Sequence, residues 1–280
     1  MRISVLITTF NRARLLRLCL LGYLRQNQQG FEIIISDDGS TDATQDVVEE
    51  FQEQAPFPVT YIWREHRDHR RAEVINRAIA ASQYEWLVFS DSDSIPHQDM
   101  VRNHRRHADS ERLLCGGRIR LNREVTEKLT PQSILQGAHE EYLTGQEKLL
   151  LWKRHLKNLF YIAIRKERRP HNYGLNMSCS KEAMIRINGY DHNFIGWGNA
   201  DGNVRDRMRM LGIEPKSIVP WAPVFHQWHP TDPTRAQRRN LSYARRDDIS
   251  AKCENGLDSL QGEDFWHLDL KSRGLGNRAP

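Results

Sequence analysis

Along the first hundred residues, apolar positions follow two rhythms. Short β-branched and aromatic runs at 2–8, 31–36, 59–63 and 85–90 read as strands. Between them, apolar residues recur every three or four positions over 12–26, 42–54 and 70–82, the spacing of amphipathic helices. Strict alternation of this kind predicts an α/β fold: a mostly parallel, Rossmann-like central sheet flanked by helices. Asp42 or Ser40 is placed to cap the second helix, and Pro56 and Pro58 end the connection after it. After residue 96 the alternation weakens. The pattern predicts a helix near 97–109, a strand at 113–121 and a basic, helical stretch over 122–170. A polar turn at Pro170-His171-Asn172-Tyr173-Gly174 leads to Asn176-Met177-Ser178-Cys179 and a helix near 180–187. A helix over about 202–211 and a short strand before Val224 follow, then a polar, basic tail from 231 in which partial disorder is expected.

Sheets of this type bind ligands beyond the carboxyl ends of their strands. The segments there are Thr8-Thr9-Phe10-Asn11-Arg12, Asp37 to Asp42, Arg64 to Arg71 and Asp91-Ser92-Asp93, all polar and rich in carboxylates and arginines. Asp91 and Asp93 project to one side as the fourth strand runs out. Two carboxylates held together repel unless a cation lies between them, and a divalent ion shared with a diphosphate is the natural partner. A dinucleotide-binding dehydrogenase would need a glycine-rich turn after the first strand, and none is present.

Composition narrows the class further. The chain has 280 residues, 39% hydrophobic and 28% charged, which suits one large globular α/β unit. No apolar run approaches the roughly 20 residues of a membrane span. The N-terminus reads as a first strand and makes a poor signal peptide. Cys19, Cys115, Cys179 and Cys253 lie far apart, which points to neither a zinc site nor a disulfide framework and favours a reducing cytoplasm. Net charge is +5, with the excess clustered in His66 to Arg71, Arg102 to His107, Arg165 to Arg169 and Arg235 to Arg246. Such clusters favour anionic partners: nucleoside diphosphates, lipid headgroups or nucleic acid. They lack interleaved aromatics and any recognition motif, so nucleic acid is not expected.

Four stretches together resemble family 2 glycosyltransferases with the GT-A fold: Ile7-Thr8-Thr9-Phe10-Asn11-Arg12, Ser36 to Asp42, the strand ending in Asp91-Ser92-Asp93, and Gly189-Tyr190-Asp191 through Gly196-Trp197-Gly198 to Asp201. The last is similar to the acceptor-side motif of galactosyltransferase-type C-terminal halves. Asp93-Ser94-Ile95-Pro96-His97 and His226-Gln227-Trp228-His229-Pro230 are similar to bacterial enzymes of lipopolysaccharide and capsule synthesis. The resemblance covers about 1–230. It implies a nucleotide-sugar-binding half over 1–121, a helical acceptor-binding and catalytic half over 122–230, and a basic tail over 231–280.

It also implies roles. Thr8, Phe10 and Arg12 would frame the uracil of a UDP-sugar, Asp38 (or next Asp37) would accept from its imide, and Arg70 would contact the nucleotide. Asp91 and Ser92 would meet the ribose or metal shell. Asp93 would bind Mn²⁺ or Mg²⁺, with His226 (or His229) and Asp91 as further contacts. Asp201 would be the general base, and Trp197, Asn176 and Asp191 would bind the acceptor. Ala200 departs from the family, where a glutamate is usual, and Ile75 stands where an arginine is usual. The implied reaction is metal-dependent inverting transfer to a saccharide or lipid-linked acceptor, by a cytoplasmic protein in peripheral contact with an anionic membrane. A non-catalytic nucleotide-sugar-binding or scaffold subunit is the alternative.

Overall fold

The computed structural model describes residues 1–67, 70–231, 240–246 and 248–260, and the backbone of 266–268. In chain order the first elements are β1 (Ile3–Thr9), α1 (Ala13–Leu24), β2 (Phe31–Asp37), α2 (Thr44–Gln54), β3 (Val59–Trp63), α3 (Arg71–Ala81) and β4 (Trp86–Asp91). Each lies within two residues of its predicted bounds. There follow β5 (Ser94–Pro96), α4 (Met100–His107), β6 (Arg112–Cys115), β7 (Gly117–Arg120), α5 (Arg123–Lys128), α6 (Pro131–Leu135) and α7 (Gly145–Ala163). The last are β8 (Asn176–Ser180), α8 (Lys181–Arg186), α9 (Ala200–Met210), β9 (Glu214–Ser217), β10 (Pro223–His226), α10 (Asn240–Tyr243) and β11 (Trp266–Leu268).

The large sheet has the order β11-β3-β2-β1-β4-β8-β6-β9. Its centre, β3 to β4, is parallel; β8 is antiparallel to both β4 and β6, and β11 runs antiparallel to β3. Both faces are buried, and the period of two sorts the strand residues between them. Val5, Ile7, Ile35 and Val88 pack with Leu16 and Tyr23 of α1 and Phe51 of α2. Leu6, Ile34, Leu87 and Phe89 pack with Ile75 and Ile79 of α3 and Met208 of α9. Asp42, expected as a cap, accepts from the Thr44 amide at the start of α2 and from the Ala13 amide at the start of α1, tying the two helix entrances together.

One expectation needs correction, and two features extend the picture. The single strand at 113–121 is two strands in two sheets, broken at Gly116: β6 joins the large sheet, whereas β7 joins a small sheet of order β5-β10-β7. A side chain at 116 would collide with Asn176, whose Oδ1 lies 2.3 Å from the position of a Cβ, so the chain bends there around a buried amide. The segment 176–180 is a strand in the middle of the sheet. Its sequence, Asn-Met-Ser-Cys-Ser, hides this because one of its two buried faces carries the polar Asn176 and Ser178, opposite Met177 and Cys179. Finally, the sheet draws β8 and β9 from beyond residue 122, so the expected halves at 1–121 and 122–230 share one sheet. Of the tail, 232–239, 247, 261–265 and 269–280 lie outside the described residues. Cys253, however, is buried, and Asn188 donates to its carbonyl.

Candidate active site

The ends of the parallel strands bring the predicted segments together in three adjoining clusters. The first is built around Asp93, in the turn between β4 and β5. Strand β5 pairs antiparallel with β10 so that Ser94 faces His226, and the Gln227 amide donates to the Asp93 carbonyl. This register sets the His226 Nε2 3.6 Å from Asp93 Oδ1. The chain then returns to place His229 Nε2 3.2 Å from Asp93 Oδ2, and Arg12 reaches the same oxygen at 2.5 Å from the start of α1. Asp93, His226 and His229 each offer a ligand atom within 4.8 Å of the others, and among the described residues they form the one such group. Both histidines the sequence left as alternatives are therefore here.

Burial alone would raise the Asp93 carboxyl. The His229 hydrogen bond, with the charges of His226 and Arg12, outweighs it and holds the group well below the usual carboxylate range. The same contact raises His229, whereas burial lowers His226. The His229 Nδ1 lies 2.7 Å from the Pro230 carbonyl. A carbonyl can only accept, so Nδ1 carries hydrogen; the bond to Asp93 then needs a second hydrogen on Nε2, and a cation binding there would displace that proton and take up the Nε2 lone pair. An ionised carboxylate with two imidazoles so disposed fits a divalent ion that tolerates nitrogen donors, better than Mg²⁺ with its preference for oxygen.

The second cluster joins the strand ends to the later segment. Thr8 and Asp91 face each other across β1 and β4, and the Thr8 hydroxyl donates to Asp91 Oδ1 at 3.1 Å. Arg71, at the start of α3, donates to Asp91 Oδ1 at 2.7 Å and to Asp201 Oδ1 at 3.2 Å. One guanidinium thus spans the carboxylate at the end of β4 and the one in the first turn of α9. Asp201, in the first turn of α9, also accepts from the Tyr190 hydroxyl at 3.1 Å and, through Oδ2, from the Gly174 amide at 3.0 Å. A Cβ on residue 174 would lie 2.5 Å from Asp201 Oδ1 and 2.6 Å from the Arg71 guanidinium, so this close approach requires glycine. Tyr190 is itself clamped by Asn76, whose amide donates to the Tyr190 carbonyl and accepts from its N–H, both at 2.7 Å.

The third cluster lies beyond β2 and β3. Asp38 is buried and ion-paired with Arg64, and the His66 ring lies 3.6 Å from its Oδ2. Phe10 stacks on His66 with ring centres 4.3 Å apart. Asp37 is buried beneath, accepting from Tyr61 and Ser40, and burial raises its carboxyl.

Several sequence assignments shift. The arginine in the site is Arg71; Arg70 is the exposed residue preceding α3. Asp91 lies outside the Asp93–His226–His229 group because Arg71 and Thr8 engage its carboxylate. Ser92 is buried, its amide donating to the Thr8 carbonyl, so it holds the turn. Asn176 is 1% exposed; its amide donates to the Gly117 and Ala222 carbonyls and its oxygen meets His104. It is a structural tie with no surface to offer an acceptor. Asp191 is likewise buried, accepting from Tyr243. Trp197 stands on an exposed loop before α9. Sequence reasoning missed Arg71, Tyr190, Arg64 and His66. Arg71 had a signal: it opens the third helix beside the residue chosen.

The parallel sheet, its antiparallel β8 insertion and the carboxylate turn after β4 define the GT-A fold of glycosyltransferases. Residues 4–187 match glycosyl transferase family 2, and the chain belongs to that family. Residues 154–226 match the N-terminal domain of galactosyltransferase. The chain is 24% identical over 257 residues to a chondroitin synthase of Escherichia coli, covering 86% of this chain but 37% of that protein's length. Among solved structures, it resembles the mannosyltransferase PcManGT from Pyrobaculum calidifontis in complex with GDP-Man and Mn²⁺, with TM-score 0.61 and 17% identity over 89% of this chain and 65% of that one. It also resembles S. aureus TarS 1–349 in complex with UDP, with TM-score 0.56 and 16% identity over 90% of this chain and 68% of that one.

Proposed function

We propose that the chain is a metal-dependent inverting glycosyltransferase. It moves a sugar from a UDP-sugar to a saccharide or lipid-linked acceptor in bacterial surface polysaccharide synthesis, at the cytoplasmic face of the membrane. The observation that carries this reading is the Arg71 bridge between Asp91 and Asp201, set beside the Asp93–His226–His229 group. It supports the reading because it brings Asp91 and Asp201 onto one guanidinium beside that group. Among the described residues no helix is long and apolar enough to cross a membrane.

In this reading the turn from Thr8 to Arg12, the Phe10–His66 stack and Asp38 receive the uridine. Arg12 and Arg71 face the negative charge of the diphosphate, which becomes a better leaving group as that charge is neutralised. Asp93, His226 and His229 would hold the Mn²⁺ whose positive charge supports the same departure. Asp201 takes the proton of the acceptor hydroxyl as it attacks from the opposite face. Tyr190, Gly174 and Arg71 occupy three of the four lone-pair positions of its carboxylate, which orients Oδ2 and leaves it room for one more donor. Trp197 offers an apolar face against which an acceptor ring can pack. A non-catalytic subunit would have no use for a carboxylate fixed from three sides.

The test is a panel of UDP- and GDP-sugars scored for transfer and for hydrolysis, with Mn²⁺, Mg²⁺ or EDTA. Turnover of a UDP-sugar with Mn²⁺ and none with EDTA is expected. UDP affinity by calorimetry that is the same in Mn²⁺, in EDTA and in Asp93→Ala would sink the metal assignment, and no turnover of any donor would favour the scaffold reading.

A further inference from the structure

Helix α7 buries a largely polar face and leaves its more apolar face outward. Leu151, His155 and Asn158 turn inward, where His155 meets Ser217 and Leu151 joins the core around β7 and β10. On the other side Leu149, Trp152, Leu156, Leu159 and Phe160 recur at steps of three and four, so they form one continuous stripe. All are exposed, Leu156 to 61% and Phe160 to 59%. A stripe of that size is far beyond the scattered apolar side chains of an ordinary surface. Lys153 and Lys157 flank it, and Lys148 stands at its other margin; all three are exposed. Past the helix end, the exposed Arg165, Lys166 and Arg168 extend the positive charge, while the one acid of the helix is Glu147 in its first turn.

We infer that this outer face of α7 docks the protein on an anionic lipid surface. An apolar stripe bordered by lysines, with the half-exposed Trp152 near its start, edge-on to His155 and Trp221, and Phe160 at its end, is the pattern of a helix lying in a membrane interface. The charge excludes the simplest competitor. In a second copy the same lysines would have to face one another across a pairing of α7 on α7, whereas anionic headgroups neutralise them. The helix packs on β7, the direct neighbour of the strand that ends in His226. Docking there brings the site to the surface on which a lipid-carried acceptor would lie, though the docking itself does not depend on the transfer chemistry.

The experiment is cosedimentation of the full chain with vesicles of phosphatidylcholine alone and of phosphatidylcholine mixed with phosphatidylglycerol, at low and raised salt. It is read without donor, acceptor or cation, so its result stands apart from that of the transfer assay. The wild type should bind the anionic vesicles and release as salt rises. Lys153→Glu with Lys157→Glu should weaken binding by at least about tenfold, since each lysine near the surface is worth about fivefold. Leu156→Glu with Phe160→Glu should weaken it at least as much, while the melting temperature of both pairs stays at the wild-type value because the substituted side chains are exposed. Absence of binding, equal binding to neutral and anionic vesicles, or wild-type binding by both pairs would overturn the inference. So would a wild-type dimer that Leu156→Glu with Phe160→Glu converts to monomer, which would make the stripe a self-association face.

Discussion

The two sides of the candidate site are built by different physics. On one side, Thr8, Asp38 and Asp91 sit at or just beyond the ends of parallel strands, and apolar side chains on both sheet faces fix those ends. On the other, Tyr190 and Asp201 belong to a loop and a helix start where buried polar ties add to the apolar packing of Tyr190, Val204 and Met208. Asn76 clamps Tyr190, and Arg207, 1% exposed, donates to the carbonyls of Ile187 and Gly189. His104 and Asn176 join α4 to β8. Apolar packing shares its load among many small contacts, so losing one methylene is tolerated. A buried polar tie has no spare partner, and its loss leaves an unsatisfied group in a medium that cannot solvate it.

That contrast can be broken at several points. The largest effect should come from the proposed base. Asp201→Asn keeps acceptors for Tyr190 and Arg71 but cannot take a proton, so kcat should fall by about 10²–10⁴-fold with donor affinity nearly unchanged. Asp93→Asn should instead damage donor affinity and turnover together. Near-normal turnover of Asp201→Asn at saturating donor would remove it from the chemistry.

Acid should act first through two buried imidazoles: His104, in the tie between α4 and β8, and His139, which packs edge-on against Phe225. Burial pushes both His104 and His139 down to about 4 from an ordinary 6.5, so each is neutral in the fold. The unfolded chain takes up a proton on each below pH 6.5, whereas the folded chain does so only near pH 4. The stability they contribute is therefore complete above about pH 6.5 and lost as pH falls toward 4, at most on the order of 3 kcal/mol for each histidine. Denaturant unfolding between pH 7.5 and 4 would show it, on the order of those two limits, and His139→Phe should flatten part of the slope. A slope unchanged by that substitution would place the acid sensitivity elsewhere.

A third comparison sets one tie against one apolar contact. Arg207→Met keeps the stem but strands the two carbonyls it serves, at a cost of about 3 kcal/mol. Ile35→Val removes one methylene from the sheet core and should cost about 1 kcal/mol. Chemical denaturation of the two variants measures both. If Ile35→Val proved the more costly, the two sides would not differ in the way described.

The legibility of the sequence follows the same division. The first seven elements were readable because apolar periodicity is local and each strand announces its own ends. Asp91, Asp93 and Asp38 were findable for that reason. Asp201 was visible through its family motif, and its surroundings were not. Nothing near Gly174 in sequence says that its amide must meet a carboxylate 27 residues later. Strand β8 was missed because its polar residues are satisfied by partners from α4, from β7 and from Ala222 just before β10, which no local pattern reveals. Asn176 and Asp191 looked like acceptor ligands, and folding turned both inward. The sequence by itself determined the α/β class, the central strand order's raw material and the carboxylates at the strand ends, because burial of apolar side chains at periods of two and 3.6 is written residue by residue. Only the tertiary structure decided that Arg71, and not Arg70, bridges Asp91 to Asp201, and that His226 and His229 both close on Asp93. Those pairings depend on strand register and on polar contacts that, for Arg71 with Asp201 and for both histidines with Asp93, join residues more than a hundred positions apart, where a single turn of helix or one step of register changes which side chain arrives.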